Sequence, residues 1–573
     1  MENTSACKRM ERTPMKTSYD YVIIGSGFGG SVTAYRIATA RANAGQDASV
    51  CVLERGKRYN MGEFSRDFGW ARNWWWRHEG RRGWRGLFEF HLGDKISIVC
   101  GAGVGGTSLV YLDVQLDAFA TTFDIVGPEG RRRWPESVNW AAEMPRYYAL
   151  MKEMMRPSPI PDPPLKALAL QEAARGAGLA GRFRLVDLAV FWGKHGSERG
   201  VLFQDPYDRK GPPQAACQYC GECFIGCNTH SKNTVDLNFL WFAERAGAEV
   251  YSQHRVSKIE PRPEGGYTVY FDDLRWGISG VVIAKTLVIS AGCAGSTTLL
   301  LRAKYGYRQG KKEIPPTMPR ISDMLGKHFS GNGDFGAVAF ETCYVTEPTV
   351  GPSITAAIDC RDQLDGHGFL IEDGGFPDTL RSALRRLPGG LMAGRRLVRW
   401  LERLLGGSRP RGLTEDVFEF LDLETVRNAL PYLAMGIDAA DGELTIDAEG
   451  TLVPRWRPSD SMHYFRTLER TLRAITQTPP PGQTGPGLKG NLMLNPTWSS
   501  DKHLITVHPL GGCPMGDDAS RGVVSPNGEV FGYPNLYVAD GSIVPSALGP
   551  NPSKTIGALA QRISDHLIRR GIA

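Results

Sequence analysis

Two short loops near the C-terminus hold the side chains best suited to acid–base work. His508 opens HPLGGCPMG and Asn551 sits in GPNPSKT, both among prolines and glycines that let side chains converge on a ligand. An unperturbed imidazole titrates near pH ~6.5, so it can accept or hold an alcohol proton at neutral pH. The plainer reading makes His508 a loop residue capping backbone carbonyls and Asn551 a turn residue before Pro552. A second reactive group is the run CQYCGECFIGC, with Cys217, Cys220, Cys223 and Cys227 spaced C-x2-C-x2-C-x3-C. Thiolates on so short a loop suit an iron–sulfur cluster, [4Fe-4S] or [3Fe-4S], or zinc. In a bacterial ferredoxin the fourth cysteine serves a second cluster and precedes proline; here Asn228 follows Cys227 and no second run exists. Zinc normally pairs two separated knuckles. Buried thiols, or a local disulfide shaping the loop, are the third reading, and all three stay open.

The elements that would position these groups are legible as hydrophobic runs and glycine turns. YDYVIIGSGFGGSVTAYRIATARA is followed by SVCVLERG, which gives a strand, a tight turn, a helix and a second strand. Gly25, Gly27 and Gly30 fit G-x-G-x-x-G, with Phe28 and Gly29 between them. Gly25 permits the turn, Gly27 lets the backbone approach a pyrophosphate, and Gly30 packs helix on strand. Free amides at the helix N-terminus favour the phosphates. Glu54 closes the second strand, where a carboxylate accepts from ribose hydroxyls and disfavours a 2′-phosphate. FAD or NAD is therefore expected over NADP. KTLVISAGCAGSTTLLLRA and the tail PNLYVADGSIVP…SKTIGALAQRISDHLI repeat the strand, small-residue turn and helix.

At 573 residues the chain exceeds one compact core. A net charge of +6 is small for this length and gives no argument for nucleic acid. The first residues have no apolar leader and no run approaches a membrane-spanning length. Eleven cysteines without an export signal point to thiols or metal ligands, and a cytoplasmic protein is the default.

A second glycine cluster, VCGAGVGGTSLVYL at 99–112, changes what can be said. With the first fingerprint it resembles the GMC (glucose–methanol–choline) flavoprotein oxidoreductases, and within them the cholesterol-oxidase-like branch. The likeness continues in VISAGCAGSTTLLL, LGKHFSGNGD at 325–334, HPLGGCPMG and YVADGSIVPSALGPNPSKTIGALAQR. The resemblance implies FAD along Gly101, Gly103, Gly105, Gly106, Thr107 and Ser108, with Asp540 and Gly541 reaching its flavin side. Val250, Ala291 and Pro552 complete the expected cofactor contacts. It implies His508 facing the hydride-accepting edge and Asn551 as its partner in oxidising an alcohol. Tyr111 stands where some cholesterol oxidases have Asn, so a polar contact from this position is not carried over. Glu372, in FLIEDGGFP, is the best candidate for an isomerising carboxylate, but surface or hinge duty fits its sequence better. A very similar cysteine segment occurs in the branch, through Lys232, Asn233, Thr234, Asn238 and Leu240.

The expected architecture is α/β: a discontinuous Rossmann-like FAD-binding domain (18–115, 210–334 and 496–573) with an inserted α+β substrate domain (335–495) built on an antiparallel sheet. Residues 1–17 form an arm and 116–209 a connecting or lid region. The segment 70–90, with Trp70, Trp74, Trp75, Trp76 and Trp84 among arginines, suits a membrane interface, as does LMAGRRLVRWLERLL at 391–405. The expected substrate is a small hydrophobic alcohol, a sterol for instance, which a peripheral membrane contact would let the enzyme draw from a bilayer, with electrons passing to a protein, a quinone or dioxygen. A non-catalytic flavin or iron–sulfur carrier and an NAD-linked reductase on the same fold are the alternatives.

Overall fold

The protein is described from a computed structural model, covering residues 15–67, 71–77, 83–196, 198–362, 368–379, 426–477 and 487–571. Trp70 and the basic apolar stretch 391–405 lie outside the described residues.

Apolar strands with no polar face must be covered on both sides, and the first sheet is built that way. Ser18–Ile24 and Val50–Glu54 pair in parallel, flanked by Glu249–Ser252 on one side and Ile278–Ile289 on the other. Ile278–Ile289 serves two partners along its length. Its first half pairs antiparallel with Tyr267–Asp273, and its last residues pair in parallel with Leu536–Val538. The tail strand thus joins the same sheet, across Ile278–Ile289 from the first strand. Helix Phe28–Asn43 packs on this sheet against Ser553–Gly571, whose buried face includes Ala558, Leu559, Ile563 and Leu567. The parallel strands end together at Ile24, Glu54, Ile289 and Val538. Ligands of open α/β sheets bind outside such carboxyl ends.

The second sheet is antiparallel, in the order Asn491–Leu494, Phe335–Phe340, Leu430–Gly436, Phe369–Asp373, Ala356–Cys360 and Phe183–Leu185. Its last strand comes from the stretch 116–209. Helices Leu165–Gly176 and Met462–Thr476 cover one face. Register decides which side chains face away from them. Glu372 pairs opposite Leu433, so both lie on the same face, while Asp373 faces the helices and meets Lys166 at 2.9 Å.

The described tryptophans of this segment differ in burial. Trp74 and Trp76 are buried, Trp74 stacks near Phe88 and Arg55 lies over the Trp76 ring, whereas Trp84 is exposed. Composition could not say which face of that segment packs inward. Among the described residues no helix is long and apolar enough to cross a membrane.

Candidate active site

A cavity of about 870 Å³ runs along the carboxyl ends of the parallel strands and reaches the second sheet. Gly25 opens it with φ +96, and a Cβ there would stand 2.3 Å from the Ser290 carbonyl. Helix Phe28–Asn43 begins at Gly27 with no side-chain cap and no acidic residue in its first turn. Its first amides are left for a ligand, at the positive end of a 16-residue helix. The Glu54 carboxylate accepts from the Ser26 amide (3.1 Å), the Ser26 hydroxyl (2.7 Å) and the Gly56 amide (2.8 Å). A carboxylate has about four acceptor sites, so one remains for a ribose hydroxyl. Arg55, His254 and Arg255 line the same end and were not singled out from the sequence.

The expected cofactor residues divide into two groups. Gly25, Gly27, Phe28, Gly29, Glu54, Gly101, Gly106, Thr107, Ala291, Asp540, Gly541 and Pro552 line the cavity. Gly30, Gly103, Gly105, Ser108 and Val250 do not, and each has a structural reason. A Cβ on Gly30 would fall 2.0 Å from the Gly25 carbonyl, and one on Gly103 2.4 Å from Leu109 Cδ1. Gly105 is left-handed, turning the chain into the short helix Gly106–Leu109. The Ser108 hydroxyl donates to the Gly105 carbonyl (2.7 Å) and accepts from the Val235 amide (3.1 Å). Val250 pairs with Val52 inside the sheet. These five stand behind the cavity lining, in the turns and the strand that support it. The Ser26 hydroxyl, receiving the Gly105 amide at 3.1 Å, ties the two glycine segments together. Asp540 accepts from the Gly292 amide (2.9 Å) and the Ser542 amide (2.9 Å), which joins the ends of two strands, and burial pushes its carboxyl above the ordinary range. The fit to a dinucleotide is direct: an uncapped helix start, two glycine turns and a cavity of suitable length. Tyr111 presents its ring to the cavity, because its hydroxyl donates to the Asn233 carbonyl at 2.8 Å.

His508 and Asn551 line one and the same cavity. His508 Nδ1 lies 2.6 Å from Asp334 Oδ1. The other oxygen of Asp334 accepts from the Thr506 hydroxyl (2.9 Å) and from the Val507 (2.9 Å) and His508 (3.2 Å) amides. A carboxylate so surrounded by donors calls for the proton on Nδ1, which leaves the Nε2 lone pair of a neutral ring free. Asn332, two residues earlier, holds the other catalytic loop: its side chain accepts from the Leu548 amide (2.8 Å) and donates to the Pro550 carbonyl (2.9 Å). The motif LGKHFSGNGD therefore places both candidates. Sequence reasoning quoted it only as a likeness.

Glu372 is the clearest correction. Surface or hinge duty was the expectation, yet its side chain is fully buried on the cavity side of the second sheet and receives the Asn551 amide at 3.4 Å. Burial, with Asp373 and Asp334 nearby, pushes its carboxyl up to about 8, against the opposing pull of the Asn551 hydrogen bond and Arg184. Glu372 Oε1 and Asn551 Oδ1 are buried without hydrogen-bond partners. The sequence offered Glu372 as a candidate carboxylate; its neighbour 179 residues away was not visible there.

The four cysteines of the run are free thiols, and Cys220 is exposed. Among the described residues no three His, Cys, Asp or Glu side chains gather closely enough to hold a metal ion. The single-ion zinc reading therefore has no support in the geometry.

A crevice at the carboxyl ends of a parallel sheet, with a histidine–carboxylate pair in its wall, fits a flavin-type oxidoreductase. The profile of the FAD dependent oxidoreductase family matches residues 20–325, and that of the GMC oxidoreductase C-terminal region matches 439–560. A cholesterol oxidase of Acinetobacter baumannii is 28% identical, over 96% of this chain and 94% of its own. A cholesterol oxidase of Mycobacterium tuberculosis is 29% identical, over 96% and 91%. The solved structure of a fungal aryl-alcohol oxidase superposes with a TM-score of 0.58 at 16% identity, over 98% of this chain and 100% of its own. The chain belongs to the GMC group of the FAD-dependent oxidoreductases.

Proposed function

We propose that this chain oxidises the hydroxyl of an apolar, lipid-like alcohol, a sterol being the leading case, to a carbonyl. The observation that carries the reading is His508, held at Nδ1 by Asp334 in the wall of the cavity that the glycine turns open. FAD, bound along Gly25–Gly29, Gly101, Gly106, Thr107, Ala291, Asp540, Gly541 and Pro552, supplies the hydride acceptor. Asp334 fixes the imidazole tautomer, so that Nε2 takes the hydroxyl proton as the carbinol hydrogen leaves with its electron pair. Asn551 Oδ1 and Glu372 Oε1, buried and without partners, offer polar ends that a hydroxyl would satisfy. Glu372 is mostly protonated at neutral pH, so it meets the substrate as a neutral acid. Leu112, Val114, Ile354, Pro431 and Leu433 give this end an apolar wall that excludes water. The names of the relatives, cholesterol oxidases and a long-chain-alcohol oxidase of Arabidopsis thaliana, support the substrate class. The two electrons pass on to an external acceptor or to dioxygen.

The test is anaerobic bleaching of the bound flavin by a sterol, a long-chain primary alcohol and an aryl alcohol. The sterol or the long-chain alcohol should bleach it fastest. His508→Ala should slow bleaching by roughly 10²–10⁴-fold, the range for a lost acid–base group. No bleaching by any alcohol, or undiminished bleaching in the variant, refutes the proposal.

A further inference from the structure

A lysine is sealed inside the protein behind the apolar end of the cavity. Lys166 stands in the first turn of helix Leu165–Gly176, and its side chain, like that of Asp373, is fully buried. The ammonium and the carboxylate lie 2.9 Å apart. Charged side chains are buried this completely almost only in pairs, and such a pair adds little stability over apolar groups of the same size. What it can add is a fixed arrangement of the groups around it.

Those groups are the backbone of the cavity wall. The Lys166 ammonium donates to the Ser353 carbonyl (2.8 Å). Asp373 Oδ1 accepts from the Thr355 amide (2.6 Å) and the Ala356 amide (2.7 Å), and Oδ2 accepts from the Thr355 hydroxyl. The pair thus grips the chain on both sides of Ile354, which lines the cavity. Asp373 is followed directly by Gly374 and Gly375, two more lining residues. The Gly374 amide donates to the carbonyl of Pro431 (2.7 Å), which also lines it. Gly375 runs so close to the loop before Ile354 that a Cβ there would stand 2.7 Å from the Pro348 carbonyl and 3.3 Å from Ser353 Cα. None of the bonds that hold Asp334 and His508 comes from the pair. This end of the cavity therefore takes its outline from anchored main chain and two glycines, not from side chains free to turn. A fixed outline suits a rigid ligand, which loses little freedom on binding, better than a flexible one that must be ordered to fit.

We propose that Lys166 and Asp373 are positioning residues for selectivity: their buried pair fixes the wall at Ile354 and Gly374–Gly375 so that rigid, ring-shaped apolar alcohols are taken in preference to flexible chains. This rests on the alcohol reading above and names the substrate class within it. The pair touches neither the acid–base group nor the cofactor turns, so its loss is felt in how well an alcohol fits, not in the hydride step.

The experiment compares flavin-loaded parent, the double variant Lys166→Met/Asp373→Asn, and Leu472→Ala. In the double variant both charges leave together, and asparagine keeps an acceptor for the Thr355 and Ala356 amides. Leu472→Ala, at a buried position of helix Met462–Thr476 outside the cavity lining, lowers the melt from elsewhere. The limiting rate and half-saturation of anaerobic bleaching are measured with a sterol and with a long-chain primary alcohol. The parent should prefer the sterol. In the double variant the sterol-to-chain ratio of kcat/KM should fall at least about tenfold, through a raised KM for the sterol. Flavin content and the limiting rate should stay within about twofold of the parent, and Leu472→Ala should keep the parent's ratio. Deuterium uptake by segment 353–358 should rise in the double variant only. An unmoved ratio in a double variant that folds and holds flavin overturns the proposal. So does an equal fall in Leu472→Ala, or a parent that prefers the chain. Should the double variant lose flavin, Lys166→Met alone, in which Asp373 keeps its three donors from Thr355 and Ala356, is read by the same ratio. A parent bleached by no alcohol sinks the alcohol reading itself, whereas a bleached parent with an unmoved ratio sinks this inference alone.

Discussion

Glu372→Gln is the sharpest perturbation of the site, because a buried acid and its amide differ chiefly in whether they ionise. In the folded protein the Glu372 carboxyl is pushed up to about 8 by burial, against an ordinary value near 4.5. The folded chain therefore keeps a proton that the unfolded chain releases between about pH 4.5 and 8. Below that window both states are protonated and nothing is lost; as pH rises through it, stability falls; above it the full penalty stands. A displacement of about 3.5 units at 1.36 kcal/mol each sets that penalty at roughly 5 kcal/mol. With an unfolding entropy of about 2 cal/mol/K per residue, a chain of this length converts it to about 4 °C. The assay is the melting temperature of flavin-loaded parent and Glu372→Gln from pH 5 to 9 at one scan rate. Near pH 5 the amide shifts the melt by a constant offset. By pH 8.5–9 the variant should have gained about 4 °C on the parent relative to that offset. Parallel curves would refute the reasoning, as would a gap that widens toward acid.

Two further substitutions test the cofactor end and the base. Asp334→Asn removes the charge that holds the Nδ1 proton; a hydrogen bond to a charged group contributes about 1.5–3 kcal/mol, so kcat should fall roughly 10- to 150-fold with flavin retained and KM little changed. Steady-state kinetics with an unchanged kcat would remove Asp334 from the base assembly. Gly27→Ala and Gly29→Ala should part company. A Cβ on Gly27 meets nothing nearer than Gly106 Cα at 3.9 Å, so the chain should fold and melt normally while losing flavin affinity, since that space serves the pyrophosphate. A Cβ on Gly29 would lie 1.6 Å from the Ala539 carbonyl, so the helix start must shift and the apoprotein itself should melt lower. Flavin content and apoprotein melting distinguish the two, and equal apoprotein melts would contradict the close approach.

Local chemistry was readable and long-range juxtaposition was not. The turn at Gly25 and the strand ending at Glu54 follow from apolar runs and glycine spacing, signals carried within about thirty residues. His508 and Asn551 stood out because their loops are built from proline and glycine. Asp334 could not be tied to His508, since 174 residues separate them and only the return of the chain to the crevice brings them together. Glu372 was expected at the surface or a hinge, and local sequence alone does not say whether the face of a strand meets solvent or a cavity. The tryptophans were ambiguous for a related reason. Aromatic and basic residues side by side fit both a membrane interface and a packed edge, and the buried Trp74 and Trp76 belong to the second kind.

The site draws on three sheets, which bears on how its chemistry and its selectivity are linked. The parallel sheet carries the first glycine turn. A three-stranded sheet of Phe88–His91, Ile96–Gly101 and Leu504–Thr506 leads into the second glycine turn and into His508, and Asp334 stands just ahead of Phe335–Phe340 in the antiparallel sheet. The antiparallel sheet carries Glu372 and the apolar wall of Pro431 and Leu433. Asn551 spans the boundary: its loop is gripped by Asn332 on one side, and its amide reaches Glu372 on the other. The cavity-lining Pro431, Tyr432 and Leu433 supply none of the hydrogen bonds that hold Asp334, which come from Thr506, Val507 and His508, so changes of size there are expected to leave the His508–Asp334 pair in place. Substitutions on that wall are expected to move KM among alcohols. Substitutions at Asn332, though it touches neither ring nor substrate, are expected to lower kcat, because they release the loop that aligns Asn551.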